Sequence, residues 1–246
     1  LKLLLIAASL ALASGCSSVS TGNPDATHLA SPWAHESAVG DSAWLPFVLP
    51  GKRASTFTYV RKDGRDAISA KANSSASMLR SAVRIEPAQL GQVQFSWKVP
   101  ALIADADMAL RDLDDSPVRI VLAFDGDRSR LSSRFQSMSE MARALTGEEL
   151  PYATLMYVWC NQRERGSVIV NPRTDRIRKL VVESGVRNLN QWQDYQRNVR
   201  ADYVRAFGED PGALIGIGIM TDSDNTRSAT AAWYGPVRMV ALATTR

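Results

Sequence analysis

The sequence has very few of the side chains on which nucleophilic and zinc chemistry depend. Among its 246 residues are two cysteines and two histidines, and the histidines, His28 and His35, both lie near the amino terminus. A serine or cysteine nucleophile needs a neighbouring base, usually histidine, and a zinc site needs a cluster of cysteine and histidine ligands. The G-x-S-x-G segment of an exposed serine nucleophile is also missing. We therefore predict neither a catalytic triad nor a zinc site.

The sequence also lacks a concentrated charge of one sign. Lys and Arg number 29 against 25 Asp and Glu, a formal net charge of +4, and the two signs alternate along the chain. Nucleic-acid binding requires basic residues clustered on one face, so no nucleic-acid partner is expected. Beyond the first residues, no apolar run is long enough to cross a membrane as a helix.

The amino terminus is predicted to be a processing and anchoring segment. Lys2 precedes an apolar run from Leu3 to Ala13, which has roughly the length of a signal-peptide core. The segment Ala13-Ser-Gly-Cys16 resembles the lipobox of bacterial lipoproteins, in which the cysteine is lipidated and becomes the new amino terminus. The alternative is a plain secretory signal in which Cys16 has no role.

This interpretation gives the domain organisation and the location. We expect residues 1–15 to be a lipoprotein signal peptide, residues 16–32 a flexible tether from lipidated Cys16, and residues 33–246 a single domain. The predicted location is the bacterial cell envelope, with the membrane contacted through the lipid. Because Ser17 rather than the Asp associated with inner-membrane retention follows the cysteine, the outer membrane facing the periplasm is favoured, with surface exposure as the open alternative. Cys160 is then expected to be a buried, inert thiol.

Period-two patterns dominate the rest of the chain. In the segment that begins at Gln92, the apolar residues Val93, Phe95, Trp97 and Val99 alternate with polar ones, as in a half-buried antiparallel strand. About nine to twelve such runs occur, separated by Gly, Pro, Asn and Asp, which predicts an all-β fold built as an antiparallel β-sandwich. Trp97, Trp159 and Trp192 lie on apolar faces and are expected in the core.

Two segments have helical periodicity instead. The first is Ser133–Leu145, which ends before Gly147 as a C-cap, and the second is Gln191–Phe207, with Asn190 as its N-cap. An α/β sheet would need a helix after most strands. We therefore expect two helices inserted in a sandwich.

Four segments resemble a bacterial family of unknown function. They are Asp114–Phe124, Leu150–Trp159, Arg200–Gly208, and MTDSDNT at Met220–Thr226 with its continuation to Gly235. On these segments the chain is identified as a member of the domain-of-unknown-function family numbered three thousand and forty-seven. Its members look like secreted or lipid-anchored sandwich proteins, and the resemblance implies no activity.

The segment Trp233-Tyr-Gly-Pro-Val-Arg-Met239 also resembles the last strand of jelly-roll, carbohydrate-binding-like domains. The sandwich is therefore expected to be of jelly-roll or galactose-binding-like type.

Carboxylates are the remaining candidates for chemistry. A pair among Asp115, Asp125, Asp127 and Asp222 could act in glycoside hydrolysis if folding brought two of them to the required separation. The favoured interpretation is that they lie in turns, where Asp and Asn bond their own backbone.

The segment MTDSDNT is the candidate binding loop. Asp222, Asp224 and Asn225 are oxygen ligands at alternate positions, and the two aspartates are the predicted ligands of a calcium ion, the one cofactor considered. The alternative is a plain hairpin connection. Trp233 and Tyr234 follow this loop and are the aromatic candidates for stacking on a sugar ring.

These observations favour a non-catalytic module that binds a glycan or an envelope polymer, with no catalytic residue assigned. The predicted binding residues are Asp222, Asp224, Asn225, Trp233, Tyr234, Asp125 and Asp127. One alternative is a carboxylate-dependent enzyme that acts on polysaccharides. The second alternative is a structural lipoprotein that binds a partner protein.

Overall fold

The computed structural model of the protein describes residues 31–37 and 43–240. The predicted signal peptide, Cys16 and nearly all of the predicted tether lie outside these residues. No helix of the described part is long and apolar enough to span a membrane.

The described residues form thirteen strands, three α-helices and three single-turn 3-10 helices. The strands are β1 Leu45–Val48, β2 Thr56–Lys62, β3 Arg65–Asn73, β4 Ala76–Ile85, β5 Gln92–Lys98, β6 Ser116–Phe124, β7 Ala153–Cys160, β8 Val168–Val170, β9 Ile177–Ser184, β10 Trp192–Asn198, β11 Leu214–Asp222, β12 Ala229–Tyr234 and β13 Arg238–Val240. The helices are α1 Pro32–Glu36, α2 Ser133–Thr146 and α3 Val199–Phe207.

The strands form two sheets, which confirms the predicted all-β sandwich with inserted helices. The first sheet has the order β1-β4-β11-β6-β7-β9-β8, and the second has the order β10-β5-β12-β3-β2, with β13 also paired to β5. The strand pairs are antiparallel except for β7 and β9, which are parallel. This exception arises because the chain passes from β7 to the edge strand β8 and then turns back, so that β9 lies between them.

The core lies between the two sheets and follows the predicted alternation. Val118, Ile120 and Leu122 point inward from β6, and all three are fully buried. From the second sheet, the Phe95 ring stacks on Tyr157 of the first sheet with 5.5 Å between ring centroids. Aromatic and aliphatic side chains therefore join the two layers, and each sheet has a second face that points away from this core.

The first predicted helix is confirmed at both ends. α2 follows Ser132, whose Oγ accepts a hydrogen bond from Phe135 N at 3.3 Å. It ends at Gly147, where φ is 79°. A left-handed residue after the last turn is the usual glycine C-cap.

The second predicted helix is wrong in its first half. Trp192–Asn198 is strand β10, and the helix begins at Val199 with Asn198 rather than Asn190 as its N-cap. All seven residues of β10 pair with β5. The spacing of the aromatic residues in this segment also fits a helix, and pairing with a strand that is distant in sequence determines that it is extended. The third helix, α1, is only five residues long and was not predicted.

Candidate functional site

The segment MTDSDNT connects β11 to β12, and its first carboxylate is buried. Asp222, the last residue of β11, is 4% exposed. Its Oδ1 accepts hydrogen bonds from Ser116 N at 2.8 Å and from Arg119 Nη2 at 3.1 Å. Arg119 lies on β6 between two inward-pointing residues, so its side chain is on the outer face of the first sheet, where it is nevertheless 2% exposed. Asp222 is therefore half of an internal ion pair.

This ion pair belongs to a larger buried network. Arg119 Nη2 also contacts Asp114 Oδ1 at 3.1 Å. Lys179, on β9, is fully buried and donates from Nζ to Asp114 Oδ1 at 2.6 Å and to the carbonyl of Met108 at 2.9 Å. Three strands and the segment before β6 thus bring two cations and two carboxylates together beneath the surface.

Most of the remaining polar groups of MTDSDNT also have partners within the protein, the exception being Ser223, whose buried Oγ has no hydrogen-bond partner among the described residues. Asp224 forms an ion pair with Lys52, and Asn225 Nδ2 donates to the carbonyl of Arg111 at 2.7 Å. Asp115 accepts from Asn225 N at 3.2 Å, and from Thr226 N at 2.7 Å and Thr226 Oγ1 at 2.6 Å. The loop is therefore held by the residues around it.

The structure places a third carboxylate, that of Asp115, beside the two predicted calcium ligands. Asp115, Asp222 and Asp224 each place a carboxylate oxygen within 4.8 Å of the others, and oxygen ligands suit a hard cation such as Ca²⁺. Arg119 and Lys52 already contact two of these carboxylates, and both oxygens of Asp115 accept hydrogen bonds. The protein supplies most of the positive charge that a calcium ion would bring, and the calcium site stays a prediction.

Burial also alters the protonation of this network. Burial raises the pKa of Asp222 to about 7, against the opposing effect of Arg119 and with further raising by the carboxylates of Asp115 and Asp114. Burial, together with Arg119, lowers the pKa of Lys179 to about 8. The two groups would therefore change charge much closer to neutral pH than exposed side chains do.

Asp222→Asn should remove the part of the pH dependence of stability that comes from the titration of Asp222 near pH 7. Because the pKa of Asp222 is about 7 in the folded protein and 3.8 is the ordinary value, the folded state holds this proton more tightly. The stabilisation that comes from this tighter proton binding is complete below the pKa of Asp222 in the unfolded chain, and it is lost as pH rises through 7. Relative to the variant, the free energy of unfolding should fall by on the order of 2 kcal/mol between pH 5 and pH 7.5.

Urea unfolding at the two pH values measures this difference. Asp125→Asn is the control, because the side chain of Asp125 is 47% exposed. A difference between wild type and Asp222→Asn that does not change with pH would contradict the prediction.

The carboxylates Asp125 and Asp127 lie at the opposite end of β6. Leu214 pairs with Phe124 and Asp222 with Ser116, so Asp125 and Asp222 are separated by the length of the β6–β11 pair, about 27 Å. The carboxylates of a glycosidase are at most about 9.5 Å apart. Asp125 and Asp222 therefore cannot form a hydrolytic pair, and Asp127 caps a turn by accepting from Ser129 N at 3.0 Å.

Of the two aromatic candidates, Tyr234 is not available to a ligand. It is fully buried, and its hydroxyl donates to the carbonyl of Met220 at 2.6 Å. Trp233, one residue earlier on β12, points to the opposite side of the second sheet and is partly exposed. The alternation of the strand thus separates two residues that were predicted to act together.

Trp233 has a partner that was predicted to be in the core. On β5, Lys98 pairs with Trp192 of β10 on one side and with Trp233 of β12 on the other. Cross-strand partners point to the same face, and neighbouring strands are about 4.8 Å apart, so the two tryptophans are separated by about 10 Å. Trp192 is partly exposed because its segment is a strand with this face outward. We call Trp192, Lys98 and Trp233 the tryptophan row.

Two clefts lie on the same face as the tryptophan row, displaced from it along the strands in opposite directions. One, the polar cleft, has a volume of about 590 Å³, and its lining includes Gln94, Ser96, Asp194, Gln196, Arg65 and Asp66. The other, the basic cleft, has a volume of about 580 Å³, and its lining includes Arg53, Thr56, Lys71, Asn73, Ala231 and Leu102. Both volumes are large enough for part of an oligomeric ligand.

The turn between β2 and β3 reaches the tryptophan row. Asp63 in this turn accepts from Lys98 Nζ at 2.6 Å. Lys62 Nζ lies 4.7 Å from the Trp233 ring centroid, and the Arg65 guanidinium lies 5.2 Å from that of Trp192. Arg65 also contacts Asp194 Oδ1 at 2.7 Å. The row therefore combines two aromatic rings with flexible charged side chains and hydrogen-bonding groups.

Comparison with known protein families identifies the family of this protein. A family described as protein of unknown function (DUF3047) matches residues 42–238, which is most of the sequence. The chain belongs to this family. The resemblance drawn from its four segments is thereby confirmed, and no curated protein matches the chain.

Several solved structures resemble this member of DUF3047 at low identity. The family 11 carbohydrate-binding module of the cellulosomal cellulase Lic26A-Cel5E of Clostridium thermocellum is 7% identical with a TM-score of 0.40, covering 84% of this chain and 92% of its own. The xyloglucanase domain of NopAA from Sinorhizobium fredii, in complex with cellobiose, is 8% identical with a TM-score of 0.43, covering 83% and 94%.

A third similar structure is TmCBM61 in complex with β-1,4-galactotriose, which is 12% identical with a TM-score of 0.34, covering 88% of this chain and 99% of its own. The TM-scores are all below 0.5, so the two-sheet architecture rests on the strand pairings of the DUF3047 chain itself.

This DUF3047 chain has two polar regions, and the candidate binding site predicted from the sequence lies mainly at one of them, the MTDSDNT loop. MTDSDNT collects oxygen atoms, and most of its polar side chains bond the protein, although Ser223 Oγ is buried without a hydrogen-bond partner among the described residues. The exposed tryptophans, the amides and the unburied cations lie on the outer face of the second sheet, and the alternation of Trp192, Asp194 and Gln196 was the signal that could have placed them there.

Proposed function

We propose that the protein is a non-catalytic module that binds a glycan on the outer face of its second sheet. The observation that carries this proposal is the tryptophan row, in which two partly exposed rings flank Lys98 in register on three adjacent strands. An aromatic ring offers an apolar face on which a sugar ring can stack. A separation of about 10 Å between the tryptophans is comparable to the length of a disaccharide.

The surroundings of the row support the same class of ligand. A binding site for a polar small molecule combines aromatic surface with a few fixed polar groups. The polar cleft provides the amides of Gln94 and Gln196 and the carboxylate of Asp194, and these side chains share the face of the tryptophans. Sugar hydroxyls could donate to the carboxylate and accept from the amides.

A catalytic role has less support. Two of the predicted carboxylates are buried and bonded within the protein, Asp222 in the ion network and Asp115 to Asn225 and Thr226, and the other two are engaged in turns at the far end of the first sheet. Together with lipidation of Cys16, which remains a prediction, glycan binding would make the protein an envelope-anchored module that faces the periplasm.

Trp192→Ala and Trp233→Ala should each weaken glycan binding at least tenfold. Loss of a central aromatic hot-spot contact typically costs about 2 kcal/mol or more of binding free energy, and about 1.4 kcal/mol corresponds to a tenfold change in affinity. A glycan array identifies the ligand, and titration calorimetry measures the affinity of the wild type and the two variants.

Phe47→Ala is the matched control, because Phe47 is a partly exposed aromatic residue of β1 on the first sheet. Melting temperatures establish that each variant is folded. Unchanged affinity in the double tryptophan variant would show that a glycan does not use this face, and an array without any bound glycan would overturn the proposal.

A further inference from the structure

The two clefts beside the tryptophan row differ in their charge. The polar cleft contains both signs, since Arg65 is paired with Asp194. The basic cleft is lined by Arg53 and Lys71, and its described lining contains no carboxylate. A ligand that lies across the row would therefore meet balanced charge at one end and positive charge at the other.

The cations of the basic cleft also differ from their neighbours in having no partner in the part of the chain that the structure describes. On the same face, Lys62 and Lys98 both pair with Asp63, and Arg65 pairs with Asp194. Arg53 and Lys71 are exposed, and within the described residues their side chains form no ion pair, hydrogen bond or ring contact. The positive charge of this cleft is thus available to a ligand.

The register places this charge next to the aromatic surface. Lys71 pairs with Ala231 of β12, two residues before Trp233, so the two positions are about 7 Å apart along the strand direction. The small side chain of Ala231 leaves space between them, and the hydroxyl of Thr56 and the amide of Asn73 are further donors in the lining. A group carried one sugar away from the ring on Trp233 would lie in the basic cleft.

We propose that the basic cleft binds an acidic substituent of the glycan, so that the preferred ligand is a carboxylated saccharide. This inference rests on the glycan-binding function proposed above and specifies its ligand class. Stacking on Trp233 provides affinity for the sugar ring, and Arg53 and Lys71 discriminate the charged sugar from its neutral counterpart. An Arg guanidinium can engage a carboxylate through two parallel hydrogen bonds, and Lys supplies a point charge.

The test uses the full chain and a library in which each acidic polysaccharide is paired with its carboxyl-reduced, neutral form. The acidic form should bind about tenfold more tightly, and this difference should shrink as salt is added because the cleft is open to solvent. Arg53→Met and Lys71→Met together should lower the affinity for the acidic form to that for the neutral form. They should leave neutral binding unchanged.

Two further variants separate the possible causes. Arg134→Met removes an exposed cation on α2 and controls for the change in net charge. Trp233→Ala should weaken the acidic and neutral forms equally, because stacking does not depend on the carboxylate.

Each outcome bears on one proposal. Equal affinity for the two forms, unaffected by the Arg53 and Lys71 variants, would overturn the acidic ligand and leave glycan binding intact. Absence of binding to every member of the library would overturn glycan binding itself. Tight binding of inorganic phosphate alone, lost in the double variant, would show that the cleft takes a free anion and would contradict an acidic sugar.

Discussion

At pH 8, above the pKa of Asp222, Arg119→Met should lower the free energy of unfolding by about 3–5 kcal/mol. The guanidinium is the shared partner of Asp222 and Asp114, and all three side chains are less than 7% exposed. Methionine fits the space, since the side chain already lies against Met156 on the outer face of the first sheet. The cost therefore comes from the carboxylate of Asp222, which would be left buried without its cation.

Asp114 is better protected in this variant. Lys179 Nζ remains within 2.7 Å of both Asp114 oxygens, so one of the two carboxylates keeps a charged partner. This asymmetry makes Asp222 the residue whose removal should compensate. In the double variant Arg119→Met/Asp222→Leu, we expect most of the lost stability to return, because replacing both members of a buried pair by apolar residues is often neutral.

Chemical denaturation of wild type, both single variants and the double variant gives the coupling between the two residues directly. Arg84→Met is the control: its side chain is 62% exposed and pairs with Glu86, and a surface pair is worth less than about 1 kcal/mol. If Arg119→Met were no more destabilising than Arg84→Met, the buried network would not be a determinant of stability.

The parts of the fold that could be predicted are those decided by neighbours along the chain. Strand alternation in Gln92–Val99 and the cap residues Ser132 and Gly147 are local signals, and the structure confirms them. The segment after Gln191 could not be assigned in this way, because Trp192, Tyr195 and Val199 also fit one face of a helix. Pairing with β5 decides it, and that strand lies about a hundred residues away.

The same limit applies to the candidate site. Arg119 stands alone inside the apolar segment of β6, which is a signal for a buried ion pair that the sequence does contain, whereas Lys179 directly follows Arg178 and is not marked in this way. Their shared partner Asp114 is found only when β6, β9 and the segment before β6 are brought together. The tryptophan row likewise depends on three strands from distant parts of the sequence, so composition alone favoured the oxygen-rich loop.

Asp115→Ala should release the connection between β11 and β12 and cost about 2–4 kcal/mol. Asp115 is 1% exposed, and its two oxygens accept one hydrogen bond from Asn225 N and two from Thr226. Alanine leaves the two amides without this acceptor, while the Thr226 hydroxyl keeps its contact with Ser228 Oγ. Denaturation measures the loss, and hydrogen exchange at the amides of residues 225 and 226 localises it. Unchanged protection of those two amides would contradict the assigned role.

Asp115→Asn separates the hydrogen bonds from the charge. Asparagine keeps one acceptor oxygen, so the loss of stability should be smaller, and without the neighbouring carboxylate the pKa of Asp222 should fall toward its ordinary range. Repeating both variants with added Ca²⁺ tests the calcium prediction on the same residues. An ion held by Asp115, Asp222 and Asp224 would raise the melting temperature of the wild type and not of Asp115→Ala. If calcium has no effect on either, Lys52 and Arg119 are sufficient partners for the loop, and its oxygen atoms serve the fold.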